Sequence, residues 1–116
     1  MKKSSVKRKP TTLLEVLFPS TEAEATSAIR SYLGFRGVWH WKQWQGPMSQ
    51  PKGVSDILGC YQGRLLAIEV KRPGKKPTPD QQRFLDRVKI EGGISFVARS
   101  VEDVMENLIA FKKSRG

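Results

Sequence analysis

The stretch that decides the fold is VSDILGCYQGRLLAIEVK, residues 54–71. Two apolar runs flank the pair Gln62-Gly63, and glycine at the second central position suits the positive φ that a two-residue hairpin turn requires. We therefore predict two antiparallel strands joined by this turn. In that register Tyr61 pairs with Arg64, and Asp56 stands directly opposite Glu69.

Directly opposed residues of an antiparallel pair point to one face, with Cβ atoms about 5 Å apart. Asp56 and Glu69 would therefore repel each other, and Lys71 lies on the same face because it follows Glu69 by two residues. A divalent cation would relieve the repulsion, since Mg²⁺ and Mn²⁺ prefer oxygen ligands. A salt bridge from Lys71 to the acids accounts for the same pattern, so both interpretations stay open at this point.

The two strands carry apolar residues on both faces, which is typical of strands in the middle of a sheet. Unpaired charges at the end of such a pair are costly and need a compensating partner. The residues expected on the first face are Ile57, Leu66, Ile68 and Val70, and those on the second are Leu58, Cys60, Leu65 and Ala67.

Capping signals and apolar spacing predict the remaining elements. Thr21 and Glu24 form a capping-box pattern before an amphipathic helix, and Thr78, Pro79 and Gln81 mark the start of a second helix. Strands are predicted over residues 38–44 and 94–99, and a last helix after Ser100. The order α-β-β-β-α-β-α predicts an α/β domain with a mixed central sheet of about four strands flanked by helices.

Composition indicates the partner. The chain has 21 Lys and Arg against 11 Asp and Glu, a net charge of +10, which favours nucleic acid as the ligand. We expect residues 1–12 to form a disordered basic arm before one domain over residues 13–116. The sequence has no apolar run of about 18 residues, so no membrane span is expected. The single cysteine, Cys60, excludes an intrachain disulfide and fits a reducing compartment such as the cytoplasm.

Several motifs in a fixed order resemble a known nuclease family. GVSDILG at residues 53–59, followed by AIEVKRP at residues 67–73, resembles the PD-(D/E)XK motif, with Ser55 where the family name has proline. TEAE at residues 21–24 and PDQQRFL at residues 79–85 resemble one branch, the VRR-NUC (virus-type replication-repair nuclease) domain. GG at 92–93 and SVED at 100–103 extend the resemblance, which covers about residues 21–108.

The resemblance implies a restriction-endonuclease-like fold and Mg²⁺- or Mn²⁺-dependent cleavage of DNA phosphodiester bonds. It assigns Asp56 and Glu69 as metal-binding acids and Lys71 as the catalytic lysine. It also implies roles for Gln81 and for Glu22, with Glu24 as the alternative acid because Glu24 has a competing capping role. Branched DNA such as Holliday junctions, a homodimer, and a viral or phage origin in a bacterial host follow from the same resemblance.

Other groups near the two acids are candidate contacts for the metal or for phosphate. The main-chain carbonyl of Val70 lies between Glu69 and Lys71 and is a candidate metal ligand. We expect the basic residues near the site to contact phosphates, although an ordinary solvated loop accounts for the same charges. These residues are Lys52, Arg72, Lys75, Lys76 and Arg83.

Other residues have simpler interpretations. Trp39 and Trp41 should share a strand face and Trp44 should point the other way, with core packing or a dimer contact favoured over base stacking. His40 is not favoured as a metal ligand, and Cys60 is expected to be a small buried residue. Two alternative functions remain: a non-catalytic nucleic-acid-binding protein with this fold, and a basic subunit that docks onto an acidic protein.

Overall fold

A computed structural model describes residues 12–46 and 51–115 of the chain. The basic arm predicted for residues 1–12 lies outside the described residues except for Thr12. The fold is α/β with the predicted order, preceded by one additional short helix. The elements are α1 (Leu13–Leu17), α2 (Glu22–Phe35), β1 (Trp39–Lys42), β2 (Ile57–Tyr61), β3 (Arg64–Val70), α3 (Pro79–Ile90), β4 (Ile94–Ala98) and α4 (Val101–Arg115).

The predicted hairpin is confirmed. Gln62 and Gly63 both have positive φ, 51° and 80°, as a turn with the twist of the flanking strands requires. Tyr61 pairs with Arg64, and the register continues without a bulge to Ile57 opposite Ile68. The local turn chemistry therefore sets which side chains of β2 and β3 share a face.

The sheet has the strand order β1-β2-β3-β4. β1–β2 and β2–β3 are antiparallel, whereas β3 and β4 are parallel and joined through α3. A parallel pair needs such a crossover connection, because a tight turn reverses the chain direction. β2 and β3 are thus the central strands, as predicted.

The main core lies between one face of the sheet and the helices α2 and α4. Thr21 accepts a hydrogen bond from the Glu24 amide at the start of α2, as its capping position predicted. The fully buried members of this core include Ile29 and Leu33 of α2, Ile57, Leu66, Ile68, Val70 and Ala98 of the sheet, and Val104 and Leu108 of α4.

The helix α3 packs on the opposite face. Ser95 alternates with the core residues Ile94 and Phe96, and its hydroxyl donates to the carbonyl of Leu85 at 2.6 Å. A helix is about 10 Å wide and strands lie about 4.8 Å apart, so one helix covers about two strands. This face is therefore covered over β3 and β4 and open over β1 and β2.

Two expectations are wrong because this face is open over β1 and β2. Cys60 is exposed rather than buried, and Leu65 of the same face retains 43% of its accessible surface. Core packing of the tryptophans is also wrong, because Trp39 is 70% and Trp41 37% exposed. Their rings do share a face, with centroids 5.2 Å apart.

Element ends differ modestly from the predictions. β1 is Trp39–Lys42, shorter than the residues 38–44 expected, and α2 continues through Gly34 to Phe35. The helix α1 was not predicted, since five residues are too few for a helical period to show. No helix among the described residues is both long and apolar enough to cross a bilayer.

Candidate active site

Asp56 and Glu69 come together at the end of the central hairpin. Asp56 immediately precedes β2, and continuing the observed register by one residue places it opposite Glu69 of β3. Both residues belong to the face on which α3 packs. Glu69 is 1% exposed and Asp56 is half-buried, so the two carboxylates differ in their access to water.

A main-chain donor orients Asp56. Its Oδ2 accepts a hydrogen bond from the N–H of Val70 at 2.7 Å. The N–H and C=O of a strand residue point to the same side, so the Val70 carbonyl is directed toward the Asp56 side of β3. The two acids and this carbonyl thus supply oxygen donors at one end of the hairpin.

The surroundings of Glu69 disfavour the ionised form of its carboxyl group. Burial and, after it, the neighbouring Asp56 carboxylate together raise its pKa from 4.5 to about 8. Its Oε1 is buried and has no hydrogen-bond partner among residues 12–46 and 51–115. Such an atom costs free energy unless a proton or a cation satisfies it.

The salt bridge considered for Lys71 is present but weak. Its Nζ lies 3.8 Å from Glu69 Oε2, beyond hydrogen-bonding distance. Lys71 lowers the pKa of Glu69, but less than burial and Asp56 raise it. The lysine alone therefore does not offset the cost of ionising this carboxylate.

The donor set fits a hard divalent cation. Asp56, Glu69 and the Val70 carbonyl offer oxygen ligands of the kind that Mg²⁺ and Mn²⁺ bind, and the unpartnered Glu69 Oε1 is an open acceptor. Within residues 12–46 and 51–115, no three His, Cys, Asp or Glu side chains are grouped to hold a metal ion. Water, or the phosphate of a substrate, would thus have to complete the coordination shell.

Glu22 and Glu24 differ in their contacts. Glu24 Oε1 accepts a hydrogen bond from the Ser20 N–H at 2.8 Å, so this carboxylate is engaged at the start of α2. Glu22 is exposed, and its charge is among the causes that raise the pKa of Glu69, although the smallest of them. Glu22 therefore lies within electrostatic reach of the candidate site.

Gln81 is engaged at the cap of α3. Its Oε1 accepts from the Thr78 N–H at 2.9 Å, and its own N–H donates to Thr78 Oγ1 at 3.2 Å. The structural role weighed for this residue is thus confirmed, whereas its catalytic role is a separate proposal.

Gln81 also lines a polar cleft of about 450 Å³. The other residues lining this polar cleft are Gln45, Gly46, Lys52, Gly53, Val54, Thr78 and Asp80. Gly53 has a φ of +74°, and a Cβ there would lie 2.3 Å from the Asp80 carbonyl oxygen. A glycine is thus required where the loop before Asp56 touches α3.

The predicted phosphate contacts are all exposed, and one of them lines the cleft. Lys52 lines the cleft, whereas Arg72, Lys75 and Lys76 belong to the loop between β3 and α3. Arg83 forms an exposed ion pair with Asp80.

Two residues were missed by sequence reasoning. The Gln45 side chain donates to the Val54 carbonyl at 2.7 Å, and the Arg99 guanidinium donates to the Lys75 carbonyl. Both support loops beside the site. No local motif signals either contact, because each joins segments that are distant in sequence.

Comparison with protein-family models finds no match for this chain, and comparison with curated proteins finds none either. The structure itself shows an α/β domain whose central hairpin ends in two opposed carboxylates and a lysine.

Proposed function

We propose that this chain is a divalent-metal-dependent DNA endonuclease of the VRR-NUC type, with a restriction-endonuclease-like core. The observation that carries the proposal is the buried Glu69 carboxylate, which faces Asp56 and has one oxygen without a partner. A purely structural ion pair would not leave that oxygen open at the end of an apolar hairpin.

A bound Mg²⁺ or Mn²⁺ would neutralise the phosphate and lower the pKa of a water molecule beside it. Asp56 and Glu69 would hold the cation through their carboxylates, and the Val70 N–H orients Asp56. The Lys71 ammonium lies 3.8 Å from Glu69 Oε2, and its side chain is 14% exposed. It would orient the attacking water or stabilise the negative charge that grows on the phosphate oxygens.

The substrate class follows from charge. The chain carries a net +10, and Lys52, Lys75 and Lys76, which belong to the loops before β2 and after β3, are exposed. Phosphate contacts of this kind supply most of the sequence-independent affinity for DNA. We extend the proposal to branched DNA, such as Holliday junctions, on the strength of the family resemblance.

The homodimer belongs to the same proposal. β1 lies at the sheet edge and exposes Trp39 and Trp41, and an open edge with exposed aromatic residues favours association with another chain. Action in a reducing compartment, such as the cytoplasm of a bacterial host, agrees with the exposed free thiol of Cys60.

The test is a cleavage assay of the full chain on duplex, flap and four-way-junction DNA with Mg²⁺ or Mn²⁺. Asp56→Ala and Glu69→Ala should abolish cutting, whereas Glu102→Ala, an exposed acid of α4, should leave it unchanged. Equal cutting by all variants would overturn the site. Tight DNA binding without metal-dependent cutting on any substrate would favour the non-catalytic alternative.

A further inference from the structure

A second cavity lies beside α3, near the start of β3. This apolar groove has a volume of about 340 Å³ and is lined by Leu65, Phe84 and Val88, together with Pro51. Leu65 is 43% exposed, so the floor of the groove is open to solvent. An exposed apolar concavity of this kind is typical of a ligand site.

Cations surround the groove. Lys52, Arg83 and Arg87 line its rim, with Glu91 the one acid among them. Arg83 pairs with Asp80 and Arg87 with Glu91; Asp80 is about half exposed and the other three side chains are largely exposed. Exposed pairs are weak, so a phosphate can replace the carboxylates at modest cost.

The groove lies on the same face of the sheet as the candidate active site. Leu65 and Glu69 alternate onto the same face of β3, four residues apart. Lys52 lines both the polar cleft beside Gln81 and the apolar groove. A nucleic-acid strand in the polar cleft can therefore pass Lys52 and reach the groove.

We propose that the apolar groove binds an unpaired nucleobase of the strand that is cut at Asp56 and Glu69. This inference rests on the proposed nuclease function and adds a substrate requirement to it, namely a single-stranded segment next to the scissile phosphate. A nucleobase has an apolar ring face and an attached phosphate, which match the Phe84 floor and the Arg83 and Arg87 rim.

A protein partner fits less well. A second copy of this chain carries the same net charge of +10, so its surface would oppose the cationic rim. The edge strand β1 lies outside the groove lining, so dimerisation there leaves the groove accessible.

The test measures binding of fluorescein-labelled single-stranded oligonucleotides to the full chain by anisotropy, with EDTA present so that no cutting occurs. One oligonucleotide carries normal bases, and its partner has the same length and charge but abasic sites. Wild type should bind the normal strand about tenfold more tightly, the gain expected from one stacked base.

Two variants and one control test whether the apolar groove causes the preference for normal over abasic strands. Phe84→Ala should remove most of it. Leu65→Trp should also remove the preference, because the larger side chain fills the groove. This variant still tests the groove if Phe84→Ala fails to fold. Ile90→Ala truncates an apolar residue of α3 that is 77% exposed and outside the groove lining, so it should retain the preference.

Equal affinity of wild type for normal and abasic strands would overturn the inference, as would an unchanged preference in Leu65→Trp. A groove variant that alters sedimentation of the free protein but not base preference would assign the groove to a protein contact instead. Because binding is measured without metal, loss of the base preference and failure of metal-dependent cleavage are separate results. The cleavage assay alone decides the proposed function.

Discussion

The Asp56 carboxylate accepts a hydrogen bond from the main-chain N–H of Val70 at 2.7 Å. This contact ties the residue before β2 to the last residue of β3. Val70 lies between Glu69 and Lys71 in the sequence, so the hydrogen bond holds all three candidate site side chains in one arrangement.

The first prediction separates the structural and catalytic roles of Asp56. Asp56→Asn keeps an oxygen acceptor for the Val70 N–H, so stability in urea unfolding should stay near that of wild type while metal-dependent cleavage is lost. Asp56→Ala leaves that N–H without its partner and should also lower the free energy of unfolding, by about 1–3 kcal/mol. Full cleavage by Asp56→Asn would show that its carboxylate charge is not needed.

The second prediction concerns pH. The pKa of Glu69 is raised from 4.5 to about 8, so the folded chain holds this proton more tightly than the unfolded chain. Without metal, the free energy of unfolding should therefore fall as pH rises from about 4.5 to 8, with a slope of up to about 1.4 kcal/mol per pH unit.

Urea unfolding at several pH values, with EDTA present, checks this slope. Glu69→Gln should flatten it, since the amide has no proton to lose. Mg²⁺ should stabilise wild type increasingly toward pH 8, because binding needs the ionised carboxylate. An identical pH profile for wild type and Glu69→Gln would contradict the assigned titration.

A third prediction distinguishes Glu22 from Glu24. Glu24→Ala removes the acceptor of the Ser20 N–H and should lower stability by about 0.5–2 kcal/mol, with cleavage of the folded fraction retained. Glu22→Ala should leave thermal unfolding nearly unchanged, since the side chain is exposed, and reduce metal-dependent cleavage. The opposite pattern would make Glu24 the site residue.

The fourth prediction tests Gln81. Gln81→Glu keeps an oxygen for the Thr78 N–H and should preserve stability, whereas Gln81→Ala loses that acceptor. If the side-chain amide also serves the reaction, Gln81→Glu should fold normally and cleave poorly. Wild-type cleavage rates in Gln81→Glu would limit this residue to its capping role.

The fifth prediction concerns salt. Lys75→Gln and Lys76→Gln should each reduce the log–log dependence of duplex binding on salt concentration by about 0.9, the value for one lost phosphate contact. Lys112→Gln, an exposed lysine of α4, is the charge-matched control and should leave the slope unchanged. If Lys75→Gln and Lys76→Gln gave the same slope as the control Lys112→Gln, the DNA would bind to another surface of the protein.

Local features of the fold were predictable because short-range chemistry sets them. Positive φ at Gln62 and Gly63 fixes the hairpin, and hydroxyl groups at Thr21 and Thr78 cap their helices within three residues. The opposition of Asp56 and Glu69 follows directly, because a strand register has a period of two. Exposure of Cys60 and of the tryptophans was not predictable, since it depends on where a distant helix packs.

By itself, then, the sequence determined the hairpin, its register and the grouping of Asp56, Glu69 and Lys71. Tertiary structure decided that α3 leaves Leu65, near the start of β3, 43% exposed in the apolar groove. It also decided that Glu69 is buried, which raises the pKa of its carboxyl to about 8. The physical reason is range: turns and caps depend on a few consecutive residues, whereas burial and electrostatics depend on segments brought together by folding.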